Sequence, residues 1–346
     1  MRATIIGQYR IYVIAEIGVN HNGDMDLARA SIDAAVLSGA DAVKFQMYKT
    51  EELVTRSAEK AEYQRVNLES DDLKQWDMLK SLELTQKQHV ELSRYCKQSG
   101  IDYICTAYDI ESAKFLVKNT DIAALKVAST DTTNIPLLNE IDGLDCQVIL
   151  STGMCSMQEV ELAFGSLSEV RKSARLTILQ CTSEYPAPLE QANLRAIGSM
   201  ADKFNCPVGF SDHTEGSEAA VLAAAAGACL IEKHFTLNKE LPGPDHAASS
   251  TPDEFAALVE RLRRTEIILG DGVKKIVQAE KHNKQAMQKS IYWRFPKGKG
   301  EFVSEEDLSF KRPATGMKPA EVKSLLGRRL VKAVFADDLV EIQDVI

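Results

Sequence analysis

The 346-residue chain has no apolar run of the roughly 18 residues that a membrane-spanning helix needs. Its first residues lack the apolar core of a secretory signal. No C-x-x-C pair occurs, and the seven cysteines (96, 105, 146, 155, 181, 206 and 229) are an odd number without metal-site spacing. Tryptophan appears twice and histidine six times, and no segment is of low complexity. Basic excess is missing too: the formal net charge is -9. These absences exclude an integral helical membrane protein, a disulfide-built scaffold and a general nucleic-acid binder. They leave a cytoplasmic protein with buried free thiols as the expectation, one of which could be catalytic. An anionic substrate stays open, because lysines can cluster locally in an acidic protein.

A composition of 45% hydrophobic and 26% charged residues is ample for a packed core. Eight strand candidates recur, at 11–19, 40–46, 102–108, 123–129, 147–152, 176–182, 206–212 and 229–235. Most begin apolar and end polar, and helical patterns such as 26–40 and 85–100 fill the gaps and stop at glycine. Eight strand–helix alternations predict an α/β fold of the (β/α)8 TIM-barrel type over residues 1–272. The long charged stretch near 50–80 reads as a lid or an extra helical excursion. After about 272 the pattern changes. A polar linker with one helix occupies 273–289, and 290–346 reads as a small α+β module of short strands. That module carries net +1, against -9 for the whole chain. Its SEEDL and ADDL segments read as short helical turns.

In such barrels the chemistry lies at the carboxyl ends of the strands. Alternation places Glu16, Lys44, Gln46, Glu232 and His234 on inward positions, with Ile231 and Phe235 facing the helices. Lys126 ends the fourth strand, with Ser129 just beyond. Buried charge without partners costs several kcal/mol, so three or more such residues at one mouth require each other, a ligand or water. Lys44 and Lys126, with the hydroxyls of Thr106, Ser129, Ser183 and Ser211, form a candidate phosphate or carboxylate cage. His213 and His234 end consecutive strands; they are either ligands of a borderline divalent metal in an open site or two packed core histidines. The loop after strand one, 19–24, suits a tight turn with left-handed residues. The loop 241–249 holds its backbone with Pro-Gly-Pro and presents Asp245 and His246.

The ordered strings AEIGVNHNGD, DAVKFQ, LKVAS, ILSTGM, QCTSEYPAP, GFSDHT, IEKHFT, PGPDHAAS and KRPATG run nearly end to end. Together they resemble the sialic acid synthase family, which condenses phosphoenolpyruvate with an N-acyl mannosamine-type sugar. The resemblance implies a TIM barrel followed by an antifreeze-like (SAF) domain. It implies His213 and His234 as metal ligands, for manganese or else magnesium or cobalt. Lys44, Thr106, Lys126, Ser129, Ser183 and Ser211 match the enolpyruvate-binding set. Glu16, Gln46, Tyr185 and Asp245 match positions that hold or polarise the sugar. Asp131 matches a catalytic position where some relatives carry Glu, so its reach is one methylene shorter. Arg312 matches an arginine that reaches the sugar's N-acyl group across a domain-swapped homodimer. Ser183 replaces an Asn of part of the family, and TAYD departs from a T-P-F pattern. The alternatives are a Schiff-base aldolase using Lys126 and a non-catalytic sugar- or ice-binding protein.

Overall fold

The computed structural model describes residues 10–60, 65 and 74–346. Contacts divide the chain into two compact units, Met1–Asp271 and Gly272–Ile346.

In the first unit eight parallel strands close into a barrel in sequence order. They are β1 Tyr12–Gly18, β2 Ala42–Met47, β3 Asp102–Ala107, β4 Ile122–Val127, β5 Val148–Ser151, β6 Leu176–Cys181, β7 Val208–Asp212 and β8 Leu230–His234. All eight expected strands form. β1 closes the ring on β8, with Tyr12 opposite Leu230 and Glu16 opposite His234. Local signals set the helices between them. Asp24 caps Met25–Leu37 by accepting from the backbone of Asp26 and Leu27. Thr85 and Gln88 form a capping box on Gln86–Ser99, and Gly100 ends that helix in the left-handed conformation.

Alternation along the strands builds two separate apolar layers. Outward residues such as Val13, Val43, Phe45, Ile231 and Phe235 pack against the helices. Inward residues Tyr12, Ile14, Ala42, Ile104, Ile149, Leu179 and Leu230 fill the amino-terminal half of the barrel. β7 contributes only Gly209 to that layer. A β-carbon there would stand 2.7 Å from Leu179 Cδ2 and 2.7 Å from the Leu230 carbonyl oxygen, so the neighbouring leucines already occupy its share.

The excursion after β2 contains the short helix Thr50–Leu53 and the helix Gln75–Leu82. The lid reading of 50–80 falls partly on 61–64 and 66–73, which lie outside the described residues.

The second unit begins with the helix Glu280–Met287 and pairs β9 Ser290–Trp293 with β10 Leu308–Lys311 in antiparallel fashion. Its own core gathers Ile291, Trp293, Val303, Leu308, Leu325 and Leu330 among others. SEEDL forms a 3-10 turn over Glu305–Asp307. ADDL does not: it makes a tight turn with Asp337 at φ +67°, because a left-handed residue reverses the chain where a helical turn would continue it.

Candidate active site

Register brings the polar strand ends to one level. Glu16 lies opposite Lys44, Gln46 opposite Thr106, Thr106 opposite Lys126, and Ser211 opposite Glu232. All of these except Gln46 are buried to 4% exposure or less, so the mouth of the barrel holds a cluster of charge almost out of water.

Glu232 is the hub of this cluster. Both its oxygens accept from Lys126 Nζ, at 2.8 and 3.0 Å. Lys44 Nζ stands 3.2 Å from Glu232 Oε2 and 3.4 Å from Glu16 Oε2. Ser211 Oγ donates to Glu232 Oε1 at 2.9 Å. Sequence reasoning put Glu232 on the inward face but gave it no role. Parity along a strand shows which way a residue points, not which partner it meets across the barrel.

Two lysines and two glutamates share this space, and their acidities diverge. Burial raises Glu16 to about 7, Lys44 pulling it down and Glu232 pushing it up. Burial acts on Glu232 as well, but Lys126 and Lys44 outweigh it and hold that carboxylate well below its usual range. Burial lowers the Lys126 amine, against the pull of Glu232. One carboxyl thus stays ionised while the other exchanges its proton near neutrality, the division expected of an acid–base site. Gln46 Nε2 fixes Glu16 by donating to its Oε1 at 3.1 Å.

The two histidines stand beside this cluster with ring centroids 5.6 Å apart. Tyr185 packs on both, at 4.1 Å from His213 and 5.5 Å from His234. His213 Nδ1 is 2.7 Å from the Thr182 carbonyl oxygen. That contact requires the proton on Nδ1 and leaves Nε2 as a lone-pair donor. His234 Nδ1 is buried with no hydrogen-bond partner among the described residues. Burial, with His213 nearby, holds the His234 ring well below its ordinary range and hence neutral. Burial pulls the His213 ring down, but Cys181, the Thr182 carbonyl and Glu232 outweigh it and raise that ring above its ordinary range. Two imidazoles at a polar mouth are still the donor type that a borderline divalent ion takes, His213 giving up its Nε2 proton on binding. Among the described residues no group of three His, Cys, Asp or Glu closes into a full ligand set. A site built on two rings alone would leave positions for water and substrate.

Of the remaining expected residues, Ser129, Ser183 and Asp245 lie in the segments that follow β4, β6 and β8. Ser129 Oγ accepts from the Gly153 backbone at 2.9 Å. A β-carbon on Gly153 would overlap Ser183 Oγ and stand 2.8 Å from Ser129 Oγ, so glycine lets both hydroxyls converge over bare backbone. Asp245 is pushed up to about 6 by burial, with His213 drawing it back. Its neighbour His246 turns away: Nδ1 shares a 2.6 Å hydrogen bond with Thr236 Oγ1, and Nε2 lies 3.2 Å from Asn22 Oδ1. With Asn20 Nδ2 donating to Phe235 O and Ser249 Oγ, His246 ties the 19–24 loop to the loop after β8. Asn22 and Gly23 take the left-handed conformations expected of that turn. Asp131 is occupied locally, accepting from Asn134 Nδ2 and Thr130 Oγ1. Arg312 belongs to the second unit, on its surface.

Two further features were not anticipated. Cys181 Sγ lies 3.9 Å from His213 Nδ1, one of seven free cysteines. Lys233 points outward yet is buried, with Nζ 2.9 Å from Asp212 Oδ2 and donating to Thr214 O at 2.7 Å. An outward position was expected to be apolar; the ion pair with the adjacent strand makes the exception.

The NeuB family model matches residues 31–274. The chain belongs to the sialic acid synthase (NeuB) family. It is 44% identical to the N,N'-diacetyllegionaminic acid synthase of Legionella pneumophila, over 92% of this chain and 90% of that one. It is 41% identical to the protein of the same name from Campylobacter jejuni, over 95% and 98%. Among solved structures it resembles the N-acetylneuraminic acid synthetase of Leptospira borgpetersenii, with a TM-score of 0.71 and 34% identity, covering 80% of this chain and 91% of that one. The chain is thus an enzyme, a carbon–carbon bond-forming synthase, which sets aside the sugar- or ice-binding alternative. No helix among the described residues is long and apolar enough to cross a membrane.

Proposed function

We propose that the enzyme condenses phosphoenolpyruvate with the open-chain aldehyde of an N-acyl mannosamine-type sugar, giving a nonulosonic acid and phosphate. The observation that carries this reading is the Lys44–Glu232–Lys126 cluster, set beside two histidines at one barrel mouth. The names of the two relatives reported above favour a 2,4-diacetamido-trideoxy mannose over N-acetylmannosamine as acceptor.

In this reading Lys44 and Lys126 neutralise the phosphate and carboxylate of phosphoenolpyruvate. Thr106, Ser129, Ser183 and Ser211 supply hydroxyl donors around them. Glu232 holds both ammonium groups until the anion arrives. His213 and His234 would hold a divalent ion, manganese before magnesium or cobalt. When bound, that ion supplies Lewis-acid polarisation of a carbonyl. The enolpyruvate C3 bonds to the aldehyde carbon, water adds at C2, and phosphate leaves. Glu16, poised near neutrality and oriented by Gln46, carries a proton in these transfers, and Asp245 is the second candidate. Tyr185 and Asp131 line the acceptor's approach. Arg312 reaches the acceptor's N-acyl group from the partner protomer of a swapped homodimer, its module being of the antifreeze-like type. Ile267 and Ile268, 80% and 79% exposed at the end of a barrel helix, favour such an assembly. The free thiols suit a cytoplasmic enzyme.

The test is phosphate release from phosphoenolpyruvate against a panel of mannosamine derivatives. Activity is expected to vanish with a chelator and return with manganese. Full turnover of metal-free enzyme would overturn the role of the histidines. The lowered Lys126 amine supports one rival, a Schiff-base aldolase. Borohydride trapping of a keto substrate on Lys126 would establish it.

A further inference from the structure

The two histidines are not held alike. His234 is the last residue of β8 and stands in register with Glu16 on β1. Pairing continues beyond it: Ser250 N donates to His234 O at 2.8 Å, and Phe235 N donates to Glu16 O at 2.8 Å. Backbone on both sides therefore fixes the point from which that ring projects. His213 lies past the last pair of the β7–β8 ladder, which ends with Asp212 opposite Lys233. Its carbonyl accepts from Ala187 N at 2.8 Å, and its Nδ1 donates to Thr182 O at 2.7 Å. Both of those ties run to the loop after β6, on the side away from β8. Neither sets the distance from His213 to His234.

Lys233 makes the link toward β8. It precedes His234, and its ammonium donates to the residues on either side of His213: to Asp212 Oδ2 at 2.9 Å and to Thr214 O at 2.7 Å. Asp212 closes the turn from within, its Oδ1 accepting from Thr214 N at 2.9 Å and from Thr214 Oγ1 at 2.7 Å. These bonds clasp residues 212–214 into one turn and fasten it to the neighbour of His234, where the backbone ladder has stopped. Lys233, Asp212 and Thr214 are all buried, so water does not compete for the donors, and the ammonium–carboxylate bond is of the stronger kind. Stability alone does not account for the pair. The outward neighbours Ile231 and Phe235 are apolar, and an apolar residue of similar size at 233 would avoid the desolvation of two charges.

Resting on the functional reading above, we infer that Lys233 is a positioning residue for the divalent-ion site: through Asp212 and Thr214 it sets the separation of His213 from His234. The two ring centroids are 5.6 Å apart. Two-ring binding is tight only when both donors already stand at one separation before the ion arrives. Lys233 acts on that separation from the outer face of the barrel wall, through the backbone of the turn, and is not a catalytic residue.

The experiment measures Mn2+ binding to the full chain, without substrate, from the EPR signal of the free ion. Lys233→Met removes both donations at similar side-chain length. Its Kd for Mn2+ should rise about 10–100-fold over wild type, the range for losing an outer-shell partner. Its Tm should fall as well, because Asp212 keeps a buried charge. Lys233→Met/Asp212→Asn removes that charge. The double variant should regain most of the Tm and keep the raised Kd, since Thr214 O still lacks its ammonium donor. Ile104→Ala, destabilised in the apolar layer, should bind Mn2+ within about twofold of wild type. A wild-type Kd in Lys233→Met overturns the positioning role; if that variant does not fold, a wild-type Kd in the double variant does so. An equal rise of Kd in Ile104→Ala overturns it too, because affinity would then follow global stability. A wild-type chain that leaves Mn2+ free overturns the metal site of the functional reading, and the role of Lys233 falls with it.

Discussion

The two halves of the barrel interior are built on the same strands and the same inward face, yet they are opposite materials. Toward the amino ends of the strands the face is Tyr12 and Ile14 on β1, Ala42 on β2, Ile104 on β3, Leu179 on β6 and Leu230 on β8. Two residues further along, the same positions become Glu16, Lys44, Thr106, Cys181 and Glu232. The first half excludes water and packs to fixed volume. The second half keeps charge in a nearly dry space by pairing it. The difference teaches that the fold is held by one layer and the chemistry by the next, separated by a single repeat of strand alternation.

The sharpest test of that separation is Lys126→Met. The proposed activity should fall by at least about a thousandfold, the scale of losing a preorganised charge in a dry site. Stability should fall too, by about 3–5 kcal/mol, because Glu232 is left ionised and partly unpaired. The double variant Lys126→Met/Glu232→Leu should recover that stability in urea unfolding and none of the activity. If activity returned with stability, the charged layer would be scaffold and not chemistry. Next in size is Ile104→Ala in the apolar layer. It should cost about 2–5 kcal/mol and leave kcat within about twofold of wild type at a temperature where the variant is folded. A large kcat loss there would break the distinction from the other side.

Glu16→Gln gives the smallest effect on stability, and its sign depends on pH. In the folded chain the Glu16 carboxyl sits at about 7 against an ordinary 4.5, so the folded state binds the proton more tightly than the unfolded state does. That contribution is whole below the ordinary value and is lost as pH rises through about 7. The glutamine variant should therefore gain Tm relative to wild type at pH 8 by more than at pH 5. If Glu16 acts as a base, wild-type kcat should also decline as pH falls below about 7, a limb absent from the variant.

Much of this was legible before any coordinates. The eight strands announced themselves by β-branched runs ending in polar residues, and parity along them turned Glu16, Lys44 and His234 inward. What parity could not supply was pairing across the ring. Glu232 was visible as an inward acid but not as the partner of two lysines, because the contacts to Lys126 and Lys44 join strands separated by over a hundred residues of chain. Lys233 drew no reading for the related reason that its partner, Asp212, sits on the neighbouring strand.

The acceptor for His213 is the main-chain oxygen of Thr182, not a side chain. No substitution at position 182 can delete it, since every amino acid carries that oxygen. The orientation of the ring is thus protected against most single-nucleotide change. In a saturation scan position 182 should tolerate broad replacement while position 213 tolerates almost none. A lineage could drift freely at the supporting residue without drifting in how the histidine is aimed.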